Sequence, residues 1–546
     1  MRLTEFRCEA LFEWSLSEVE LMHWADFTAE KLRKERGEKQ VACSGITPSG
    51  EFHLGHIREI LSVEMIHRSC LDAGLDSRYI FIVDSMDPLR RVYPFLSDEY
   101  EQYIGCPLAF IPAPDSDGNP DPNAGSYAEH FLEPFLEALA EIGVFPEVIM
   151  NHETYAGGQF TDKVDSAIEQ ADEIREIIES ISGRELDDDW FPYKPLGSDG
   201  SMDGVTVTGY EKPYVHWKDR HGESGSADTR KAEGKLPWRI DWAARWGIHG
   251  VTCEPAGKDH GAAGGSFDTG LPICRLLGSE PPAKMVYEWI QVKGAGPMSS
   301  SSGNTVGPIE TLSLVPPEIL RYLIAGSKMN RHIDFNTGPA LFQMADEYER
   351  LVADPPNPEA EDLTKRQRVA AITQSGAMRL SQIERGADPV DSLAGVSFRH
   401  LAMLAQIKTS DDDVWNSLRS SGHLTGEPKQ ALQQRLARMR NWIGSIHFPE
   451  DARIHIHSQI DENVRGELSQ EQSTFLQKLA GELSNTEWSD EAIGSTIRTI
   501  APGCGIGGRE AYVALYWVML GRNYGPKASA ILFEIGREAA IELLTS

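Results

Sequence analysis

Apolar positions in the first third of the chain recur with two alternating periods. Lys39-Gln-Val-Ala-Cys-Ser-Gly45 is a short apolar run ending on glycine, which reads as a buried strand. From His56 to Ala73, Ile57, Ile60, Leu61 and Met65 recur at helical spacing, and Gly74 supplies a C-terminal cap. Arg78-Tyr-Ile-Phe-Ile-Val-Asp84 reads as a second buried strand. The stretch therefore predicts a right-handed parallel βαβ unit, with Ile46-Thr-Pro-Ser-Gly50 as the turn into the helix.

The pattern then loosens. Pro112 to Gly125 is rich in Pro, Gly and Asp, Val148–Met150 reads as a strand, and Asp162 to Ile181 reads as one long amphipathic helix. Val205-Thr-Val-Thr and Tyr214-Val-His-Trp, set among Gly/Asp turns in 190–236, predict a small antiparallel lobe. Ile248–Glu254 and Met285–Ile290 read as strands that resume the main sheet. Beyond Pro316 helical periodicity dominates, and Asp354 to Asp362 reads as a linker. The fold class expected is α/β: a parallel-sheet domain from 1–96 and 237–315, an inserted α+β lobe at 97–236, a connecting helical segment at 316–390, and an all-α C-terminal region at 391–546.

Composition narrows the class. At roughly 100–200 residues per domain, 546 residues make three or four domains with sizeable cores. Seven cysteines are scattered with no CxxC pair, which suits a reducing compartment and offers no thiolate zinc site. The N-terminus lacks an apolar signal core. The longest nearly apolar run, Ala511–Leu520, falls short of the roughly 20 residues that span a bilayer, so a cytoplasmic protein without membrane contact is expected. Against 52 basic residues, 18 of them Lys, stand 83 acidic ones, a net charge of −31 spread along the chain. This reads as a surface adapted to high salt; an ordinary acidic cytosolic protein is the alternative. At molar salt the Debye length is about 3 Å, so a polyanionic partner would be held by local contacts more than by net charge.

Two segments carry chemistry. Pro48-Ser-Gly-Glu-Phe-His-Leu-Gly-His56 lies between a strand end and a helix start. Imidazoles at 53 and 56 beside free backbone N–H groups and the positive helix end suit phosphates, and Gly55 lets a flat base approach the backbone. Two solvated histidines are the plainer alternative. Gly294-Ala-Gly-Pro-Met-Ser-Ser-Ser-Ser-Gly-Asn304 is a glycine-bounded run of hydroxyls and amides that could wrap a polyphosphate; read alone, such a run is more often a flexible linker.

Together, Ser44–His56 and Pro297-Met-Ser-Ser-Ser-Ser-Gly303 resemble the two signatures of class I aminoacyl-tRNA synthetases, and the lysyl family of that class above all. Asp87–Pro94, Lys235–Trp242, Glu254–Gly265 and His332–Phe335 resemble the same family, so the likeness spans roughly residues 40–335. It implies a Rossmann-like catalytic domain, an acceptor-binding inserted lobe, a stem-contact-like connection and a helical anticodon-binding region in a monomer. It also implies a two-step reaction in which lysine and ATP, with Mg²⁺, give lysyl-adenylate, and the lysyl group then passes to the terminal adenosine of lysine tRNA. By the same resemblance His53 and His56 hold phosphates, Pro48, Gly55, Gly257 and Asp259 bind ATP, and Met298, Ser299, Ser300, Ser301 and Ser302 form the loop over pyrophosphate. Lysine would meet Gly45, Thr47, Trp238, His260 and Tyr287, although without the family Trp238 and Tyr287 read equally as core packing. Asp84 or Asp87, at the end of the second strand, is a candidate anionic partner, with a helix N-cap as the equal alternative for Asp84. No resident metal site is expected.

The loop departs from the family. Its usual lysines are replaced by Pro297 and Ser302, and the nearest upstream lysine is Lys293. A glutamyl- or glutaminyl-type synthetase is the nearest alternative, but the strand Val41-Ala-Cys-Ser-Gly45 lacks the arginine that would pair an acidic substrate. A small nucleotidyltransferase, or a tRNA-binding paralogue without activation chemistry, are the others. Trp415, Trp442, Tyr512 and Tyr516 are candidates to stack on anticodon bases, with core packing as their plainer role.

Overall fold

The computed structural model describes residues 22–292, 296–297, 307–336, 338–389, 396–460 and 462–546. Helix α1 (Trp24–Arg36) leads into β1 (Lys39–Ile46), α2 (Leu54–Asp72) and β2 (Asp76–Val83). Gly74, at φ 80°, turns the chain after α2. Strands β1 and β2 are parallel, in register from Lys39 opposite Asp76 to Ile46 opposite Val83, so the expected βαβ unit forms.

Further along come α3 (Tyr127–Glu141), β3 (Glu147–Met150), α4 (Thr161–Glu169) and α5 (Ala171–Ser182). The single helix expected over 162–181 is two helices, broken at Gln170, whose φ of −114° and ψ of 30° leave the helical region. Strands β4 (Thr206–Glu211), β5 (Tyr214–Lys218) and β6 (Ser224–Asp228) make the expected antiparallel lobe. The main sheet resumes through α6 (Trp238–His249), β7 (Cys253–Gly257), α7 (Ser266–Leu276) and β8 (Ala283–Tyr287). The strand expected at Ile248–Glu254 is thus a correction. Ile240, Ala243, Ala244 and Trp246 bury one side of a helix that runs to His249, and Gly250, at φ 64°, ends it before β7 begins. The strand expected at Met285–Ile290 likewise stops at Tyr287, and Ile290–Val292 pairs separately with Ile333–Phe335.

The sheet order is β8-β7-β1-β2-β3, with every pairing parallel. β3 falls inside 97–236 in sequence yet is an edge strand of this sheet. Parallel strands need both faces covered. One face packs Cys253 and Ala283 against Leu32 of α1 and Ile66 and Cys70 of α2. The other packs Cys43, Ile80 and Ile82 against Val164, Ile174, Ile240, Trp246 and Phe267. The order winds outward from β1 through β2 to β3, then returns to the other side of β1 as β7 and β8. Strand ends diverge at that reversal, and a crevice opens between β1 and β7.

The chain forms two compact units. Residues 316–390 are divided between them: Leu320–Phe335 and Pro356–Ala387 belong to the first unit, Leu312–Ile319 and Asn336–Pro355 to the second. Buried charge ties the late segments of the first unit to α2. Fully buried Arg321 donates to Glu64 Oε2 at 2.7 Å and to the carbonyls of Leu380 and Ile142, while Arg68 donates to Glu64 and to the carbonyls of Gln382, Gly143 and Ile383. The second unit is helical and centres on the ring cluster of Phe342, Phe398, Trp442 and Phe448. Trp442 and Trp415 are buried core residues there, whereas Tyr512 and Tyr516 are half-buried. Among the described residues no helix is long and apolar enough to cross a membrane, and the six described cysteines are unpaired.

Removing one partner of a buried ion pair leaves the other uncompensated. Arg321→Ala should therefore lower the stability of the first unit by about 3–5 kcal/mol, read as a shift of its urea transition. A loss below about 1 kcal/mol, the worth of one ordinary hydrogen bond, would contradict this linkage.

Candidate active site

The crevice at the strand reversal is a cavity of about 450 Å³ in the first unit. Its walls are the C-terminal ends of the strands: Gly45 and Ile46 of β1 with Thr47 after it, Asp84 after β2, Glu254–Gly257 of β7 and Tyr287 of β8. The start of α2 contributes His53, Gly55, His56 and Glu59; α6 contributes Trp238, Trp242 and Arg245. Asp259 and His260 follow β7. The structure therefore brings together His53, His56, Gly55, Gly257, Asp259, Gly45, Thr47, Trp238, His260 and Tyr287. Pro48 is buried in the turn and is not among the residues lining the cavity. Met298, Ser299, Ser300, Ser301 and Ser302 lie outside the described residues.

The histidine pair is built by the helix start. His53 is the N-cap of α2, and its Nδ1 accepts from Gly55 N at 3.1 Å. His56 Nδ1 accepts from His53 N at 3.0 Å, and the two rings stack with centroids 3.9 Å apart. A ring whose Nδ1 accepts carries its proton on Nε2, so both histidines are Nε2–H donors. Burial lowers the His53 pKa to about 4 and pushes His56 well below the usual histidine range. Both rings are neutral at pH 7. Two fixed donors beside the positive end of α2 make an anion site. A Cβ on Gly55 would lie 2.7 Å from the His53 ring, so only glycine leaves that ring and the adjoining backbone in place.

The cavity also carries a set of acidic groups, beginning on α2 itself. Glu59 accepts from Gly45 N at 3.1 Å and from the Tyr287 hydroxyl at 2.7 Å. Burial raises its carboxyl to about 8 despite those two hydrogen bonds, with the Glu254 and Asp259 charges adding to the rise. Glu254 accepts from the indoles of Trp242 at 2.9 Å and Trp246 at 2.6 Å, which fixes its carboxylate in the sheet end. Among the described lining residues Arg245 is the one cation, and it is committed to Asp84 and to Asp241, 3.1 Å away. Burial raises the Asp84 carboxyl to about 7, although the Arg245 guanidinium opposes the rise. Asp87 lies behind Thr47: the Thr47 hydroxyl donates to Asp87 Oδ2 at 2.9 Å, and Lys235 Nζ sits 2.5 Å from Oδ1. Burial alone would raise Asp87, but Lys235 outweighs it and keeps the carboxyl below its usual range. Neither Asp84 nor Asp87 caps a helix; both end in ion pairs.

Trp238 forms an aromatic wall, its ring 5.0 Å from His260 and 5.4 Å from Trp242. Glu59, Trp242, Arg245 and Glu254 escape sequence reasoning. Signals existed: Glu59 stands three residues after His56 on the same helix face, and Trp242 four after Trp238. Among the described residues no cluster of three or more His, Cys, Asp or Glu side chains could hold a metal ion.

A family model described as tRNA synthetases class I (K) matches residues 22–376, and one described as an anticodon binding domain matches residues 424–545. A lysine–tRNA ligase of Thermoplasma volcanium is 37% identical over 529 residues, covering 96% of this chain and 99% of that one. The lysine–tRNA ligase of Archaeoglobus fulgidus is 36% identical over 521 residues, covering 95% and 98%. Among solved structures, a glutamate tRNA ligase of Elizabethkingia meningosepticum is a distant likeness, 14% identical at a TM-score of 0.41 over 93% of this chain and 98% of that one.

The histidine geometry has a direct readout. In ¹⁵N spectra of histidine-labelled protein, His53 should be an Nε2–H tautomer at pH 7 and titrate near pH 4, against an ordinary 6.5. Titration near 6.5, or an Nδ1–H tautomer, would contradict the capping arrangement.

Proposed function

The chain belongs to the class I tRNA synthetases (K), and from that membership we propose how its cavity activates lysine and passes it to lysine tRNA. The reaction has two steps. A lysine carboxylate oxygen attacks the α-phosphorus of ATP, the bond to the β-phosphate oxygen breaks, and pyrophosphate leaves. A hydroxyl of the terminal adenosine of the tRNA then attacks the lysyl carbonyl, and AMP leaves.

The observation that carries the choice of lysine is the charge of the cavity wall. Glu59, Asp84, Glu254 and Asp259 face a space in which Arg245 is already engaged. An acidic substrate would meet repulsion there, while an ammonium on an aliphatic stem meets carboxylates and the Trp238 face. In this reading Glu59 and Tyr287 receive the ε-ammonium. Thr47 spends its one proton on Asp87, so toward the substrate its oxygen is an acceptor only, which suits the α-ammonium. Lys235 and Asp87 act through Thr47 as positioning residues. Gly45 and His260 complete the lysine pocket.

His53 and His56 offer two neutral Nε2–H donors to the phosphates, stabilising charge that develops as the α-phosphorus is attacked. Gly55 takes the adenine side and Gly257 and Asp259 the ribose side, while Pro48 shapes the turn before α2 without lining the cavity. Met298 to Ser302 close over pyrophosphate through hydroxyls and amides in place of lysines. Mg²⁺ arrives on the ATP phosphates, held by them and by water, and supplies charge neutralisation there. The second unit holds the anticodon end of the tRNA. The setting is the cytoplasm, and the working form is a monomer.

Charging of total tRNA with lysine, glutamate or glutamine, at molar KCl with Mg²⁺-ATP, tests this reading. Lysine alone should be charged, and His53→Ala should lower kcat about 10²–10³-fold, the cost of losing one preorganised donor. Charging with glutamate, or full activity in the variant, would overturn it.

A further inference from the structure

The second unit contains its own cavity, about 780 Å³, unrelated to the chemistry above. Tyr524 stands at it with 51% of its surface exposed, and the Arg522 guanidinium lies 5.0 Å from the ring centroid. Arg522 is anchored by donating to the carbonyls of Asp451 and Arg453, so the cation holds one face of the ring in place. The cavity also carries Arg399 and Lys527, whose side chains are 58% and 65% exposed, each on one carboxylate partner: Asp346 at 2.5 Å and Asp490 at 2.7 Å. The three cations lining it outnumber its two lining carboxylates, Asp451 and Asp490, on a chain whose net charge is −31.

A pair of stacked imidazoles, His400 and His423, forms another wall, with centroids 4.8 Å apart and planes 22° from parallel. Nδ1 of His423 is hydrogen-bonded to the Ser421 hydroxyl at 2.9 Å, but His400 Nε2 is buried without a partner among the described residues. Burial lowers the His400 pKa and so favours the neutral ring, which leaves Nε2 an unsatisfied polar atom at this wall.

An exposed aromatic backed by arginine, flanking cations and an unsatisfied polar nitrogen are what an unpaired nucleotide needs: a stacking surface, phosphate partners and an edge to bond. We propose that this cavity captures one unstacked nucleotide of the tRNA anticodon loop, its base on Tyr524, its phosphates at Arg399 and Lys527, and its edge at His400 Nε2. The proposal rests on reading the chain as a lysine–tRNA ligase and assigns residues to a contact that sequence alone left open. The stacking aromatic is Tyr524; the candidates Trp415 and Trp442 are core, and Tyr512 and Tyr516 do not line this cavity.

Binding of fluorescent lysine tRNA transcript at fixed KCl tests it, with the full chain, Tyr524→Ala and Tyr524→Phe, each checked for an unchanged thermal midpoint. Tyr524→Ala should raise Kd about 5- to 150-fold, the range for one base–aromatic stack, while Tyr524→Phe stays within about twofold of wild type. On transcripts made abasic at one anticodon-loop position after another, the Tyr524→Ala penalty should vanish at a single position. An unchanged Kd, or a penalty equal on every transcript, would overturn the proposal, as would an effect confined to the KM for ATP. The two readings fail separately. A wild-type protein that charges lysine but binds tRNA independently of Tyr524 sinks only this inference; Tyr524-dependent binding without lysine charging sinks only the function.

Discussion

Five carboxyl groups, Glu59, Asp84, Asp87, Asp241 and Glu254, meet two cations, Lys235 and Arg245, around the C-terminal end of the parallel sheet among the described residues. Withdrawing charge from water is costly unless it is paired, so this deficit has to be settled locally. Asp87 and Asp241 settle theirs through Lys235 and Arg245, whereas Asp84, though paired with Arg245, is still pushed up to about 7. Glu254 settles its own through two indole donors. Glu59 has one backbone N–H and one phenol, too little to hold a buried carboxylate, and takes a proton until a cation enters. An ammonium entering the cavity would supply the positive charge that is short there.

The fold is what creates the shortage. Reversal of strand order between β1 and β7 opens the only crevice such a sheet offers at its strand ends, and each strand delivers a short polar tail into it. The same reversal brings the start of α2 into the crevice, where two neutral histidines beside Glu59 give donors without adding cations. A charged histidine pair there would have neutralised the acidic wall electrostatically. Burial keeps His53 and His56 uncharged, so these rings add no positive charge to the acidic groups of the cavity.

Much of this was legible because its signals are local. The βαβ unit shows in the switch from runs of apolar residues to 3.6-residue spacing, and His53 and His56 stand in one turn beside a glycine that the ring contact demands. Tyr287, Trp238 and His260 come through family resemblance, since the two aromatics alone read equally as core. Glu59 was illegible for a physical reason: a glutamate inside a helix ordinarily faces water, and only the packing of Tyr287 and Gly45 against it reveals a buried acid. Arg245 and Trp242 were obscured by reading a strand where α6 ends, because an apolar stretch interrupted by Gly250 fits either period. Tyr524 was passed over because its meaning lies in Arg522 and a cavity assembled from distant helices.

The central claim is that Glu59 is protonated in the empty cavity and gives up its proton to a bound ammonium. At pH 7 both amino groups of free lysine are already protonated, so any proton released on binding must come from the protein. Calorimetric titration of the enzyme with lysine at pH 7, in two buffers of different ionisation enthalpy, counts that proton directly. Release of close to one proton per lysine bound is predicted. Binding with no proton exchange would mean that Glu59 is already ionised in the empty cavity, and would contradict the account.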